Sequence, residues 1–549
     1  MTRPTYADAV ATFRLDDVAA HLSGSLNGGL NACIECCDRW ADGPDRPALD
    51  WESHDGRRAT LTFRQLRDLS ARFARFITAR GIKPGDVVAG MLPRTPDLLV
   101  TILGTWRAGA VYQPLFTAFG PKAVEHRLGM SGAKLLVTDP ANLAKLSDVK
   151  DRPPVALALR ADKGETAPAG CVDLHAELAI QPADFTPVPR GGDDLFLMMS
   201  TSGTTGPAKG VPVPLKALIN FRLYMSDAVD LRPEDKFWNI ADPGWAYGLY
   251  YAVTGPLALG HATTFYDGPF TVESTYRIIR EHGITNLAGA PTAYRLLIAA
   301  GPEAAAPVKG ALRAVSSAGE PLNPEVIRWF DEHLAATIHD HYGQTELGMV
   351  VNNHHGLAHD VLLGSAGLAL RGHRVCVLDD DDRELPPNQP GVLAVDIARS
   401  PLLWLSGYWR QPTPAIRNGY YRTGDTVELE ANGHISFVGR ADDVITSSGY
   451  RIGPFDVESA LLEHPAVIET AVIGKPDPER TEIVKAFVIL RPGLQGTDAL
   501  AEELCQFVKK RLSAHAYPRE ITFVSELPKT PSGKLQRFLL RNAETAKAT

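Results

Sequence analysis

The 549-residue sequence is poor in cysteine, has no basic tract and has no long uninterrupted apolar run. Its six cysteines include Cys33, Cys36 and Cys37, which are too few for a structural zinc site, so we expect free thiols and a cytoplasmic protein. The first residues lack the apolar segment of a signal peptide. A net charge of -8 without a basic tract argues against nucleic acid as a partner.

Residues 243–266 carry no charged side chain and are therefore the segment to test for membrane insertion. Glycine and proline interrupt the segment repeatedly, and several threonines and a histidine make it polar in places. A spanning helix is more continuously apolar than this. The sequence thus predicts no membrane span, and we interpret the segment as the wall of a buried pocket.

The length exceeds what one hydrophobic core holds, so at least two domains are expected. Up to residue 439, helical patterns alternate with short apolar strands, as in the helix pattern over 63–77 and the strand over 87–92. This alternation predicts an α/β fold with parallel sheets and helices on their faces. After residue 439 the pattern becomes a compact α+β unit. We place a domain boundary between residues 1–440 and 441–549.

The most informative segment is a turn rich in glycine, serine and threonine at 201–210, directly after the apolar run 195–199. Glycine lets backbone N–H groups approach an anion, and the hydroxyls and Lys209 add donors and charge. These features predict a triphosphate-binding loop. A P-loop NTPase needs Gly-Lys-Ser/Thr at the start of a helix, whereas Gly210 and Val211 follow Lys209 here. Such composition alone is also typical of a solvated turn, so the motifs further along the chain decide.

Those motifs are Gly319-Glu-Pro321, Asp340-His-Tyr-Gly-Gln-Thr-Glu346, Tyr421-Arg-Thr-Gly-Asp425, Gly439-Arg-Ala-Asp-Asp443 and Pro528-Lys-Thr-Pro-Ser-Gly-Lys-Leu-Gln-Arg537. With the loop at 201–210, they resemble in kind and order the adenylate-forming superfamily of acyl-CoA synthetases, luciferases and adenylation domains, over nearly the whole chain. Acetyl- and medium-chain acyl-CoA synthetases are the most similar members. The resemblance implies a large N-terminal domain of stacked, parallel-rich sheets flanked by helices plus a small barrel, and a small mobile α+β C-terminal domain.

The resemblance also implies an ATP site. Its predicted residues are Thr201, Ser202, Gly203, Thr204, Thr205, Gly206, Lys209, Gly319, Glu320, Pro321, His341, Tyr342, Gly343, Gln344, Thr345, Asp425 and Arg440. Tyr342 would pack on adenine, Asp425 would accept both ribose hydroxyls, and Arg440 would reach the phosphates. Glu346 would hold magnesium, for which a carboxylate is a suitable ligand.

The predicted catalytic residues are Lys534, Thr345 and Glu346, with Lys534 bridging the substrate carboxylate and the α-phosphate. Such enzymes first join a carboxylate to AMP and then pass the acyl group to coenzyme A, so we expect ATP, Mg2+ and coenzyme A to be used. The small domain would rotate about a hinge at Asp442 between the two steps. Coenzyme A would then contact Ser448, Gly449, Tyr450 and Arg451, with Gly449 leaving a slot for the thiol.

The acyl pocket is predicted from Trp245, Ala246, Tyr247, Ala318 and Gly343. Acetate-specific relatives have tryptophan in place of Gly343 and tend to have valine in place of Ala318. We therefore expect a longer, largely apolar pocket and a short- to medium-chain fatty acid as substrate. Each buried methylene contributes about 0.8 kcal/mol.

Several alternatives stay open. Aromatic walls from Trp245, Tyr247 and Tyr250 would suit a benzoate-like acid, and an inactive nucleotide-binding protein is a remote possibility. An adenylation domain of a peptide synthetase is disfavoured because no carrier domain follows Lys534, and a luciferase because of the synthetase-like motifs. The sequence leaves the oligomeric state open. The histidines His354, His355 and His359 are interpreted as an exposed, solvated cluster rather than a metal site.

Overall fold

A computed structural model describes residues 3–201, 207–440, 443–447, 450–477, 480–512, 516–530 and 535–548. The predicted site residues Ser202, Gly203, Thr204, Thr205 and Gly206, together with Asp442, Ser448, Gly449 and Lys534, lie outside the described residues, as do the side chains of Tyr450 and Arg451.

The strands, in chain order, are β1 Pro47–Ser53, β2 Arg58–Thr62, β3 Val87–Met91, β4 Val111–Pro114, β5 Leu135–Thr138, β6 Val155–Leu157, β7 Cys171–Asp173, β8 Leu195–Ser200, β9 Gly210–Pro214, β10 Phe237–Asn239, β11 Thr263–Asp267, β12 Asn286–Gly289, β13 Ala314–Ala318, β14 Ile338–Gln344, β15 Gly348–Asn352, β16 Ser365–Ala369, β17 Val375–Leu378, β18 Pro390–Asp396, β19 Ile416–Arg417, β20 Tyr420–Leu429, β21 Ile435–Arg440, β22 Ile445–Ser447, β23 Tyr450–Ile452, β24 Val467–Asp477, β25 Thr481–Leu490 and β26 Glu520–Phe523.

The α-helices are α1 Tyr6–Ala11, α2 Leu15–Ala19, α3 Arg39–Ala41, α4 Phe63–Ala79, α5 Pro96–Arg107, α6 Pro121–Ser131, α7 Pro140–Leu143, α8 Leu174–Ala179, α9 Ala217–Leu223, α10 Ala246–Gly248, α11 Gly255–Ala258, α12 Val272–Glu281, α13 Pro291–Ala299, α14 Pro302–Ala305, α15 Pro324–Leu334, α16 Pro454–Leu462, α17 Asp498–Arg511 and α18 Arg537–Ala548.

Two large sheets carry the N-terminal part of the chain. Among the described residues, the first has the order β7-β6-β5-β3-β4-β8-β9 and is parallel except for the β8–β9 pair. The second begins with the parallel strands β10-β12-β13-β14 and continues through β15 and β16 into an antiparallel ribbon of β21, β20, β18 and β17. This antiparallel ribbon is the part of the structure that corresponds to the predicted small barrel. The largest hydrophobic cluster contains residues of both sheets, so the sheets share one core.

Local sequence explains why these elements form where they do. Helix α4 begins with a capping box between Thr62 and Gln65, and its apolar residues at helical spacing, such as Phe73 and Ile77, are fully buried. Strands β3 and β5 are buried on both faces, as expected for parallel strands covered by helices. The predicted α/β class, with parallel sheets and flanking helices, is confirmed.

The C-terminal part of the chain has its own buried clusters. Their buried members all come from residues 445–527, on strands β22, β23, β24 and β25 and helices α16 and α17 with the connections beside them. The predicted boundary at residue 440 coincides with the end of β21, and the division into 1–440 and 441–549 stays a prediction. None of the described helices is long and apolar enough to cross a membrane. The uncharged segment 243–266 instead lies in the interior, where Leu249, Val253 and Leu257 are fully buried.

Candidate nucleotide site

A cavity of about 1040 Å3 lies where the carboxyl ends of β8, β13 and β14 face the C-terminal part of the chain. This volume is at the upper end of the usual range for small-molecule sites. From the N-terminal part, its predicted lining residues are Thr201, Lys209, Gly319, Glu320, Pro321, His341, Tyr342, Gly343, Gln344, Thr345, Glu346, Asp425 and Arg440. Parallel strands commonly bind ligands beyond their carboxyl ends, which explains why motifs distant in sequence meet here.

The two ends of the predicted phosphate loop are held together. Thr201 N–H donates to the Lys209 carbonyl at 2.9 Å, and Lys209 N–H donates to Thr201 Oγ1 at 3.0 Å. His126 Nε2 donates to the Ala208 carbonyl at 2.8 Å, so α6 supports the loop from behind. The Lys209 side chain lines the cavity with its Nζ over the ring of Tyr408, 4.7 Å from the ring centroid. Hydrogen bonds therefore join the two ends of the loop, and the ammonium group of Lys209 lies at the cavity wall.

The predicted ribose-binding carboxylate is already engaged by protein donors. Asp425 Oδ2 accepts hydrogen bonds from Tyr342 Oη at 2.5 Å and Gln344 Nε2 at 2.9 Å, and Arg440 Nη1 is 3.2 Å from Asp425 Oδ1. Asp425 is 5% exposed. Tyr421 Oη donates to Gln344 Oε1 at 2.9 Å and fixes that amide. This network orients the Asp425 carboxylate at the wall of the cavity that it lines.

The backbone of β20 and β21 determines where Asp425 and Arg440 lie in this network. Asp425 in β20 lies opposite Arg440 in β21, so their side chains are cross-strand neighbours. Gly424, one residue earlier, has a φ of +75°, a conformation that glycine adopts without strain. Thr423 Oγ1 accepts from the Asp425 N–H at 3.1 Å and donates to the Leu393 carbonyl at 2.8 Å. The strand therefore kinks at Gly424 and aims Asp425 into the cavity.

At the other predicted nucleotide-binding segment, Glu320 is bound by protein side chains. Its carboxylate accepts from Thr292 Oγ1 at 2.8 and 2.9 Å and from Arg295 Nη2 at 3.0 Å. Gly319 has a φ of +98°, which glycine allows. Thr292 and Arg295 belong to α13, so this helix fixes the turn after β13 whose Pro321 lines the cavity.

His341 lines the cavity but is 2% exposed, and both of its ring nitrogens bind protein groups. Nε2 donates to the Asn353 carbonyl at 3.0 Å, so Nδ1 accepts the Tyr224 hydroxyl at 2.8 Å. Burial holds the pKa of His341 well below its usual value. A ligand contact through this residue would therefore use its backbone.

The residue before it, Asp340, also lines the cavity and was given no role by the sequence. Its Oδ1 is buried and has no hydrogen-bond partner among the described residues. Burial raises the pKa of this carboxyl group well above its usual value. Asp340 thus offers an unpaired acceptor to a ligand.

Of the predicted acyl residues, Gly343 lines this cavity, whereas Trp245, Ala246, Tyr247 and Ala318 are not among its lining residues. Trp245 packs against Phe116 and Phe119, with ring centroids 5.6 and 5.3 Å away. Tyr247 instead faces the core, where its hydroxyl is 3.5 Å from the Tyr224 hydroxyl that binds His341. Trp245 and Tyr247 therefore have different packing partners, and the acyl role of this set stays a prediction.

Gly343 has a packing reason to be glycine. A Cβ built on it would lie 2.2 Å from the Gly348 carbonyl oxygen and 2.7 Å from Met349 Cα, because β14 bulges against β15 here. No side chain fits at this position without a backbone shift. Ala318, also small, is 1% exposed and lies opposite His341 in the β13–β14 ladder.

The C-terminal side of the cavity is lined by residues on both sides of the predicted catalytic segment, including Lys529, Leu535 and Arg537. Lys529 and Leu535 form an antiparallel bridge. Arg537 donates to both oxygens of Glu458, at 2.8 to 3.2 Å. Described residues on both sides of position 534 in the sequence therefore line the nucleotide cavity.

The expectation of an exposed histidine cluster is wrong for His354 and His355, whereas His359 is half-buried. His354 is 1% exposed and His355 is 6% exposed, because this segment packs under β13, β14 and β16. His355 Nε2 donates to the Val315 carbonyl at 3.0 Å, and its ring stacks on His339 at 3.6 Å. Burial lowers the pKa of His354 to about 3 and that of His339 to about 4. These histidines are therefore neutral core residues at neutral pH.

Comparison with known proteins places this site in a family. Residues 37–409 match the family model of AMP-binding enzymes, and residues 456–534 match that of the AMP-binding enzyme C-terminal domain. The chain belongs to the AMP-binding enzyme family. An acetyl-coenzyme A synthetase of Bacillus subtilis (strain 168) is 38% identical over 523 residues, which cover 94% of this chain and 90% of that protein.

Two solved structures extend the comparison. The crystal structure of a Brucella canis acyl-CoA synthetase is 65% identical, covers 100% of both chains and has a TM-score of 0.81. A benzoate CoA ligase from Burkholderia xenovorans LB400 is 27% identical, covers 93% of this chain and 100% of its own, and has a TM-score of 0.82.

Membership of the adenylate-forming superfamily is thereby confirmed, and with it the enzyme class, an AMP-forming acyl-CoA synthetase. The predicted use of ATP, Mg2+, coenzyme A and a small carboxylic acid is confirmed as well. The cavity fits these groups, since it has the size for a nucleotide and Glu346 supplies the oxygen ligand that magnesium prefers. The roles of the individual site residues stay predictions.

Three residues of this AMP-binding enzyme site were given no site role by the sequence: Asp340, Arg295 and Tyr408. Asp340 stands in a motif used for the resemblance, so its position could have indicated a site role. Tyr408 follows Gly407 in a loop between β18 and β19, and nothing local distinguishes it from a surface aromatic. Its hydroxyl donates to Glu346 Oε1 at 2.8 Å, a contact across 62 residues that sequence does not reveal.

Proposed function

We propose that the enzyme activates a short- to medium-chain fatty acid. A carboxylate oxygen attacks the α-phosphorus of ATP, the bond to the β-phosphate oxygen breaks, and pyrophosphate leaves. The sulfur of coenzyme A then attacks the acyl carbon, its proton goes to solvent, and the bond to AMP breaks. The observation that carries this proposal is the cavity itself, which is lined by Lys209 and Asp425 and, on its C-terminal side, by Lys529 and Leu535.

Each group has a proposed task in the first step. The phosphate loop and Lys209 hold the β- and γ-phosphates, Asp425 holds the ribose, and Asp340 accepts a hydrogen bond from an N–H donor such as the adenine amino group. Magnesium, bound by Glu346, would neutralise charge on the phosphates. Lys534 would place a cation between the carboxylate and the α-phosphate, where charge concentrates in the transition state.

The second step needs a thiol where Lys534 stood. We propose that the C-terminal part rotates about Asp442 and brings the β22–β23 hairpin, which contains Gly449, to the same place. In the described arrangement Lys529 and Leu535 line the cavity, which suits adenylate formation. A cytoplasmic location is part of this proposal, supported by six free cysteines in the described chain.

The acid is proposed from the small residues at the pocket. Gly343 and Ala318 have little or no side chain where the resemblance places the acyl chain, and acids longer than acetate would gain about 0.8 kcal/mol per buried methylene. The benzoate-like alternative rests on aromatic walls. Of these, Tyr250 is 1% exposed, stacks on Phe221 at 4.5 Å and donates its hydroxyl to the Thr345 carbonyl, which removes it from direct contact with an acid.

The test is pyrophosphate release over a panel of acids from acetate to decanoate, with benzoate included, each with and without coenzyme A. We expect the specificity constant kcat/KM to rise with chain length and then fall, with AMP as the nucleotide product. A preference for acetate or benzoate would overturn the proposed acid. Formation of ADP would overturn the reaction, and absence of pyrophosphate with every acid would favour an inactive nucleotide-binding protein.

A further inference from the structure

Tyr408 sits where the predicted phosphate loop meets the predicted magnesium ligand. Its loop is fixed by the backbone, because Trp409 N–H donates to the Gly210 carbonyl at 2.8 Å and Tyr408 N–H donates to Thr413 Oγ1 at 2.7 Å. A Cβ on Gly210 would lie 2.9 Å from Trp409 Cβ, so the loop approaches the start of β9 as closely as glycine permits. The hydrogen bond from Trp409 to Gly210, the residue after Lys209, therefore fixes the Tyr408 loop beside Lys209.

The two ends of the Tyr408 side chain contact different charges. The Lys209 Nζ lies 4.7 Å from the ring centroid, within the range of a cation–π interaction. The hydroxyl donates to Glu346 Oε1 at 2.8 Å. Glu346 is 8% exposed, and a buried carboxylate needs hydrogen bonds to remain ionised.

We propose that Tyr408 is a positioning residue that orients the two phosphate-binding groups independently, Lys209 through its ring and Glu346 through its hydroxyl. This inference rests on the proposed function, in which Lys209 binds phosphate and Glu346 binds magnesium. Groups that hydrogen-bond a metal ligand commonly change metal affinity by about 10–100-fold when removed. The ring contact acts on ATP whether or not magnesium is present, whereas the hydroxyl contact acts only through magnesium.

That difference can be measured by equilibrium binding, without turnover. ATP binding to the full-length protein is followed by calorimetry, in EDTA and over a range of free Mg2+. Tyr408→Phe keeps the ring and removes the hydroxyl, whereas Tyr408→Leu removes both. Tyr420→Phe is the matched control, because its hydroxyl donates to the exposed Glu384 at 2.9 Å, away from the cavity.

For Tyr408→Phe we expect wild-type ATP affinity in EDTA and a free Mg2+ midpoint raised about tenfold. For Tyr408→Leu we expect the same Mg2+ shift and, in addition, ATP affinity in EDTA weakened about fivefold. Tyr420→Phe should match the wild type in both. A wild-type Mg2+ midpoint in Tyr408→Phe would overturn the role of the hydroxyl, and wild-type ATP affinity of Tyr408→Leu in EDTA would overturn that of the ring.

The experiments distinguish failure of the proposed reaction from failure of the proposed role of Tyr408. If the wild type binds ATP with Mg2+ but releases no pyrophosphate with any acid, the proposed reaction is wrong, while the binding series still decides the role of Tyr408. If Tyr408→Leu does not fold, Tyr408→Phe, which changes one atom, still tests the hydroxyl, and Tyr408→Trp tests the ring in EDTA, where ATP affinity should stay within about threefold of wild type.

Discussion

The part of the cavity around Asp425, which is proposed to bind the ribose, and the boundary between the N- and C-terminal parts are built in contrasting ways. Asp425 is held by Tyr342, Gln344 and Arg440, all on strands of one sheet, and Arg440 lies opposite Asp425 in the β20–β21 ladder. Across the boundary, Asn323 Nδ2 donates to Ser459 Oγ at 2.7 Å, and the Phe437 and Phe455 rings lie 6.3 Å apart. The first region lies within one sheet, whereas these contacts across the boundary join side chains of elements that are not paired in a sheet.

The difference suits two tasks. A nucleotide must be held through both half-reactions, so its site gains from groups that are already oriented before ATP binds. In the proposed rotation the C-terminal part leaves one position and adopts another, so it would gain from contacts that are individually weak. The following substitutions separate these tasks, beginning with the largest expected effect.

Lys534→Ala tests the cation that the C-terminal part delivers. Adenylate formation should fall by about 10²–10³-fold, as when one electrostatic group is removed from an active site. Thioester formation from supplied acyl-adenylate and coenzyme A should continue near the wild-type rate. Pyrophosphate release measures the first step and thiol consumption the second. Equal loss of both rates would mean that this residue serves the whole site.

Gly449→Leu tests the position of the C-terminal part that is proposed for thioester formation. Thioester formation should fall by about a hundredfold, because a side chain in the thiol slot displaces the nucleophile by an ångström or more. Adenylate formation should not change. Gly493→Leu, in a turn with no atom within 4 Å of an added Cβ, controls for the general effect of leucine at glycine. Its φ of +89° disfavours leucine, so it also reports the effect of strain on stability.

Asp425→Ala tests the hydrogen-bonded part of the cavity around Asp425. The KM for ATP should rise about 30-fold, since hydrogen bonds to a charged group contribute about 1.5–3 kcal/mol. Both half-reactions should be affected through nucleotide binding. Asp396→Ala breaks a comparable pair with Arg374, 3.1 Å away on the neighbouring strand and outside the cavity, and should leave the KM unchanged. If the KM for ATP were the same in both variants, Asp425 would have only a structural role.

The sequence predicted the fold where local signals and burial agree. Helix α4 has its apolar period, its capping box and its buried face in the same residues, so pattern alone located it. The site residues Gly319, Tyr342 and Lys209 were grouped because their motifs, each contiguous in the sequence, resemble in kind and order those of one superfamily.

The sequence could not predict which side chains from other elements bind the site residues. Glu320 is bound by Thr292 and Arg295 of α13, and Glu346 by Tyr408, and neither pairing has a periodic signal. The histidines were placed at the surface because their local segment is polar. Burial there is imposed by the strands that cover it, with the Val315 carbonyl accepting from His355.

The smallest effect should come from the contact across the boundary. Asn323 is 4% exposed, so Ser459→Ala leaves a buried amide without this acceptor, whereas the double variant Asn323→Ala, Ser459→Ala removes both partners. A hydrogen bond of this kind contributes about 1 kcal/mol, so Ser459→Ala should slow adenylate formation about threefold to fivefold and leave thioester formation unchanged. The double variant should recover part of the loss, because no unpaired group remains. Equal slowing of both steps by Ser459→Ala would show that the contact stabilises the fold rather than one arrangement of its parts, and the contrast between the two regions would then have to be drawn elsewhere.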